Sequence, residues 1–258
     1  RVEISAPVLA LNHPDDAEPP PAGSQLFGLL PDEEAAFAAE RALERGHRTV
    51  AVFAGDEDWS GRAALAFRAQ FEAGGGVVAG ESRLHGGGVD YGSAIAQAVG
   101  GGVDAVFVAA RPQQARLLVP QLRSRGMTGT PIFATSHVYT GSPNRGLDRD
   151  LNGVEFADAP WLFGLAAGMP NRERVARDIP AAGAAGRLFA FGMDAYRLLP
   201  YLDWLGANPD AYLPGASGQL SIDGFGRVRR TLSWLRFTDG VPHSADGMLT
   251  HDPGAGSP

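Results

Sequence analysis

The residues of this chain that could do chemistry are few and scattered. Ser136 and His137 adjoin, but neighbours in sequence do not aim a hydroxyl at an imidazole. A strand-to-helix nucleophile elbow of the Gly-x-Ser-x-Gly kind is missing, because Gly92-Ser93-Ala94 and Gly141-Ser142-Pro143 both break the pattern. Asp56-Glu57-Asp58 holds enough carboxylate for a hard cation, yet acids at a helix start are favoured by the helix dipole, and capping is the reading adopted. The six histidines never fall at His-x-x-x-His spacing, and Asp148-Arg149-Asp150 reads as a solvated loop. The triple glycines 74–76, 86–88 and 100–102 read as helix ends and loops, since none belongs to a phosphate-binding pattern and the chain has no lysine. No catalytic residue, metal ligand or cofactor is therefore assigned. A hydrolase would need a convergent Ser, His and acid site that these residues do not show.

Binding remains. Ligands of doubly wound sheets sit outside the carboxyl ends of the strands. Those ends supply Asn12 with His13, Asp56 with Trp59 and Ser60, Arg111, and Ser136 with Tyr139. The candidate cleft residues are Asn12, Trp59, Ser60, Ser136 and Tyr139, with Trp59 the first choice. The alternative for Trp59 is an aromatic that seals a loop.

The elements that must position them follow a regular alternation. Residues 7–12, 49–54, 77–84, 103–110, 131–136 and 153–156 read as strands, and 26–30 as a short strand or crossing segment. Between them lie helices. The first has Pro31 and three acids at its start and Arg41, Arg45 and Gly46 at its end; others start near Asp58 or Ser60, at Asp90 and at Pro112. Short apolar strands separated by amphipathic helices mean a parallel sheet covered on both faces, so the class is α/β. A proline-rich loop, 13–25, and a short polar helix, 171–179, interrupt the series.

From Arg187 onward the pattern changes. Leu188, Phe191, Ala195, Leu198, Leu202 and Leu205 line one helical face, with Arg187, Asp194, Arg197 and Tyr201 on another. Residues 219–223 and 227–237, joined by Asp223-Gly224, read as an antiparallel hairpin whose far end is buried on both faces. Residues 239–258 read as a flexible tail.

With 258 residues, 44% of them hydrophobic and 20% charged, the chain has the composition of a globular protein of one large or two modest lobes. No apolar run approaches the ~20 residues of a membrane helix. The net charge of −7 argues against a nucleic-acid partner. All 22 basic residues are arginine, as in a GC-rich genome, so one arginine alone is weak support for an anion site. The absence of cysteine excludes disulfides and thiolate chemistry.

The pattern Phe191-Gly-Met-Asp194-Ala-Tyr196, followed by Gly215-x-x-Gly218-x-Leu220-x-Ile222-Asp223-x-x-Gly226, resembles the late helix and final hairpin of type I periplasmic-binding-protein domains. Asp58-Trp59-Ser60-Gly61, and the stretch from Val89-Asp90-Tyr91 through 104–108 to Pro112-Gln-Gln-Ala115, are similar to successive βα units of that fold. More narrowly, Phe191-Gly-Met-Asp-Ala-Tyr-Arg-Leu-Leu with Arg229-Arg-Thr-Leu-Ser-Trp234 resembles the C-terminal domain of LpoA-type activators of penicillin-binding proteins, the LppC lipoprotein family. The likeness covers most of residues 7–237.

The broad resemblance implies two Rossmann-like lobes with parallel sheets, the first incomplete because only residues 7–12 precede the crossing segment. Residues 1–27 and 161–206 are expected in that first lobe, and 28–160 and 207–238 in the second with the terminal hairpin. The narrow resemblance implies a non-enzymatic periplasmic regulator that binds a class A penicillin-binding protein and stimulates peptidoglycan synthesis. A small ligand in the cleft is a further implied partner, and membrane contact is expected only through an outer-membrane lipid anchor outside this stretch. Arg1 opens no signal peptide, so the chain reads as an excised mature domain. The alternative is a solute-binding receptor of an amino-acid importer.

Overall fold

In the computed structural model, which describes residues 6–13 and 23–246, the apolar runs become one large sheet and a smaller body beside it. The chain enters through a parallel pair, β1 (Val8–Ala10) and β2 (Ser24–Leu26). Most of the expected proline-rich loop, residues 14–22, lies outside the described residues. An extended segment then leads into α1 (Pro31–Glu44), which has proline in its first turn, Asp32, Glu33 and Glu34 beside it and Arg41 in its last turn. The succession continues with β3 (Thr49–Gly55), α2 (Asp58–Ala73), β4 (Val77–Leu84), α3 (Gly92–Val99) and β5 (Ala105–Ala109). It closes with α4 (Pro112–Leu122), β6 (Ile132–Ala134), α5 (Arg145–Asp148) and β7 (Val154–Asp158). These strands lie in the order β4-β3-β5-β6-β7, all parallel.

Successive residues of the central strands feed two cores. Ala51, Phe53, Val106 and Val108 pack with Ile95, Leu118 and Leu122 from α3 and α4 on one face. Val50, Val52, Ala54 and Phe107 pack with Ala38, Ala42, Phe67 and Phe71 from α1 and α2 on the other. This double coverage is why the strands read as unbroken apolar runs. Phe67 stacks on Phe107 with ring centroids 4.1 Å apart, and burying each such ring contributes roughly 1.5–3 kcal/mol.

The smaller body is built by α6 (Arg172–Val175), α7 (Gly183–Leu198), α8 (Leu202–Ala207), β8 (Leu213–Pro214), β9 (Gln219–Ile222) and β10 (Val228–Thr231). Phe191, Ala195, Leu198, Leu202 and Leu205 pack there on Phe27, Leu220, Ile222 and Val228. Leu188, expected on the same face, is 60% exposed. The buried arc of α7 is centred on Phe191 and Leu198 and extends to Asp194, which leaves Leu188 on its far rim.

The terminal hairpin differs from expectation in a way its sequence explains. The sequence places residues 219–223 and 227–237 as two strands of the sheet lobe, whereas of these residues only β11 (Ser233–Thr238) joins the large sheet, antiparallel to β7. β9 and β10 pair with each other and pack on the smaller body. Ser233, Trp234, Leu235 and Phe237 are buried on alternate faces, a pattern that only a sheet covered on both sides can satisfy. Residues 239–244, expected in a flexible tail, are ordered instead. Asp239 and Gly240, at φ of 51° and 69°, form a two-residue turn into β12 (Val241–Ser244), which edges the sheet beside β11. Residues 247–258 of that expected tail lie outside the described residues.

Candidate functional site

The carboxyl ends of β3, β6 and β7 converge on a buried polar cluster. After β6 the chain makes a single turn of 3-10 helix over Ser136–Val138. Glu34, in the first turn of α1, accepts hydrogen bonds from the Ser136 backbone N–H at 3.0 Å and from its hydroxyl at 3.1 Å. Both donors that a cleft serine would offer to a ligand are thus taken by a residue of this chain.

Arg187 closes the cluster from α7. Its Nε and Nη2 donate to the two oxygens of Asp158 at 2.8 and 2.7 Å, and Nη2 also donates to the Ser136 carbonyl at 2.9 Å. Burial lifts the Asp158 carboxyl above its ordinary value, and the Arg187 guanidinium pulls it back down. The bidentate pair joins the end of β7 to α7, so it ties the large sheet to the smaller body.

Trp59, in the first turn of α2, stacks on His137 with ring centroids 3.9 Å apart and planes 18° from parallel. The His137 Nδ1 lies 3.8 Å from Glu34 Oε2, too far for a hydrogen bond. Burial, assisted by the positive charge of Arg187, lowers the His137 pKa to about 4, so the ring is neutral at neutral pH.

The five residues singled out from sequence occupy different settings. Trp59 and Ser136 border the cluster, Ser136 bonded to Glu34 and Trp59 to the ring beside it. Ser60 is fully buried in the first turn of α2. Tyr139 is a core aromatic, ringed by Phe156, Phe163 and Phe237, with burial pushing its hydroxyl up to about 12. Asn12 is exposed, and its side chain accepts the N–H of His13.

Three other expectations change. Asp148, read as solvated, is fully buried and takes Arg116 Nε and Nη2 at 2.9 and 2.6 Å. Helix α2 starts at Asp58 with Glu57 at its N-cap, and neither Asp58 nor Ser60 caps it with a side chain. Asp56 instead pins the loop after β4 through His85 and Gly86, and Glu57 pairs with Arg111. Among the described residues no group of three His, Asp or Glu side chains could hold a metal ion.

None of Glu34, His137, Asp158 and Arg187 is among the cleft residues that the sequence proposes. An acid at the carboxyl end of a short strand, as Asp158 is in Val154-Glu-Phe-Ala-Asp158, is the signal that could have found it.

A second constellation explains the motif on α7. Asp194, fully buried, accepts from the N–H groups of Ala216 and Ser217 at 2.7 and 2.6 Å and from the Ser217 hydroxyl at 2.7 Å. A Cβ on Gly215 would stand 2.6 Å from both Asp194 Oδ2 and the Gly218 carbonyl. The spacing Asp194 to Gly215-x-x-Gly218 therefore records one carboxylate holding one tight turn.

The family model described as LppC putative lipoprotein matches residues 3–81 and 89–240, which include both constellations. The chain belongs to the LppC family. Among similar proteins, the penicillin-binding protein activator LpoA of Dickeya chrysanthemi (strain Ech1591) is 28% identical over 280 residues, covering 92% of this chain and 40% of that protein. LpoA of Escherichia coli (strain K12) is 24% identical over 272 residues, again with 40% of its length covered. This LppC-family chain thus spans about 40% of the length of these relatives.

Among solved structures, the C-domain of LpoA from Haemophilus influenzae, a regulator of PBP1A, superimposes with a TM-score of 0.77 at 25% identity, over 92% of this chain and 74% of that one. A putative branched-chain amino acid ABC transporter protein from Chromobacterium violaceum gives a TM-score of 0.69 at 25% identity, over 91% and 74%. The fold is that of type I periplasmic-binding-protein-like domains, as the Asp194 motif implied.

Proposed function

We propose that this chain is the C-terminal domain of a non-enzymatic regulator that docks onto a class A penicillin-binding protein and stimulates peptidoglycan synthesis. The observation that carries this reading is the likeness to the regulatory C-domain of LpoA over 92% of the chain, with a TM-score of 0.77. The cluster behind Trp59 agrees with it. Glu34 occupies the donors of Ser136, and Trp59 is stacked on His137, so two of the residues expected to line a cleft are engaged within the protein. The protein would act in the periplasm, held at the outer membrane by a lipid anchor carried elsewhere on the polypeptide.

A solute receptor is the second reading, favoured by the likeness to the transporter protein. It requires the Glu34 carboxylate to release Ser136 before a ligand could use it. Desolvated hydrogen bonds to a charged group are worth roughly 1.5–3 kcal/mol each, which weighs against that exchange. Immobilised chain and the purified cognate synthase, mixed at micromolar concentration, test the docking reading. Retention of the synthase is expected, and its passage in the void volume would refute the proposal.

A further inference from the structure

The end of the sheet opposite the cluster carries a second polar site. A cavity of about 250 Å³ opens there between the end of α1, the loop entering β6 and the start of β7. Its lining includes Arg45, Arg123, Arg236, His47 and Glu155. The guanidinium groups come from three walls: Arg45 follows α1, Arg123 follows α4, and Arg236 lies on β11. In a chain of net charge −7, this is a local excess of positive charge.

The lining arginines are held in place by fewer acids than would neutralise them. Glu155, 5% exposed on β7, takes Arg236 on one oxygen and Arg45 on the other at 3.2 Å, with Arg41 at 3.7 Å. Asp246 pairs with Arg41 and lies 3.9 Å from Arg45, so two carboxylates stand among four guanidinium groups, those of Arg41, Arg45, Arg123 and Arg236. Arg123 is directed by the carbonyls of Asp150 and Asn152, which orient its guanidinium and leave its charge intact. Preorganised guanidinium forks match carboxylate and phosphate oxygens in two-point contacts. The volume falls below the ~300 Å³ at which drug-sized pockets begin, so only a compact ligand fits.

We propose that this cavity binds a compact dianion, a small dicarboxylate or phosphate, with Arg123 on one side and Arg45 and Arg236 on the other. It lies away from the carboxyl ends of the parallel strands and is independent of the docking reading. Failure of either leaves the other standing.

The test is titration calorimetry of the folded chain with succinate and with inorganic phosphate, in separate arms, against sodium chloride at matched ionic strength. Saturable binding at or below about 1 mM is expected for at least one dianion, an affinity typical of weak small-ligand sites. Arg123→Gln should weaken it at least tenfold, and Arg177→Gln, an exposed arginine outside the cavity, should leave it unchanged. Since Arg123 also supports a loop, Arg45→Gln serves as the second variant, with circular dichroism confirming the fold of each. Heats no larger than those of chloride in both arms, or equal affinity in the folded Arg123 and Arg45 variants, would overturn the proposal.

Discussion

Arg187 on α7 and Asp158 at the end of β7 meet in a two-point ion pair, Nε to Oδ1 at 2.8 Å and Nη2 to Oδ2 at 2.7 Å, with the carboxylate almost wholly buried. The pair bridges the large sheet and the smaller body, and the same guanidinium holds the Ser136 carbonyl. Removing one partner leaves the other charge stranded in a poorly solvated place. Arg187→Met should therefore cost about 3–5 kcal/mol in urea unfolding, while the double variant Arg187→Met with Asp158→Leu should recover part of that loss. A single variant within ~0.5 kcal/mol of the parent would show that the pair is not structural.

His137 gives a pH dependence of defined sign. Its folded pKa is depressed to about 4, below the ordinary 6.5, so between these values the unfolded chain takes up a proton that the folded chain refuses. Stability from this group is complete above pH 6.5 and falls as the pH drops toward 4. The charged groups felt by the ring are Arg187, Asp158, Arg111 and Glu57, with Glu34 nearby. A third of the side chain still meets solvent, so the loss is about 1–2 kcal/mol, less than the full shift implies. NMR titration of the imidazole checks it directly, and a midpoint near 6.5 would contradict the burial argument.

Trp59 is the residue whose removal should report on the same ring. Trp59→Ala uncovers His137 and should move its midpoint upward toward 6.5, because the stacked indole supplies part of its burial. An unmoved midpoint would mean that the strand ends alone keep the ring neutral.

Asp194 predicts a local collapse. Asp194→Ala strands the N–H groups of Ala216 and Ser217 in the interior, at an expected cost of about 2–4 kcal/mol in chemical denaturation. Asp194→Asn, which keeps an acceptor, should cost less. Equal losses in the two variants would remove the turn from the explanation.

Much of the fold could be read before any coordinates. The 77–84 strand has the bounds read for it from sequence, and the ends of α1 stand where proline, acids and arginines placed them. These features depend on neighbours in sequence. The polar cluster does not: Glu34 and Ser136 are 102 residues apart, and no local period records that an acid at a helix start will turn inward to a serine. Asp148 misled for the same reason, since Arg116, its partner, lies on another element. The Asp239-Gly240 turn was a legible signal, and only the glycine-rich stretch after it suggested a tail. Leu232 marks where one apparent strand changes sheets, and the switch shows only in the doubly buried residues that follow.

Contact with a peptidoglycan synthase is the central claim. The most direct measurement is the rate at which the purified cognate class A penicillin-binding protein polymerises and crosslinks lipid-linked substrate, with and without this chain in molar excess. Docking predicts a rate that rises with added chain and saturates. A rate that stays flat over the whole titration would contradict it.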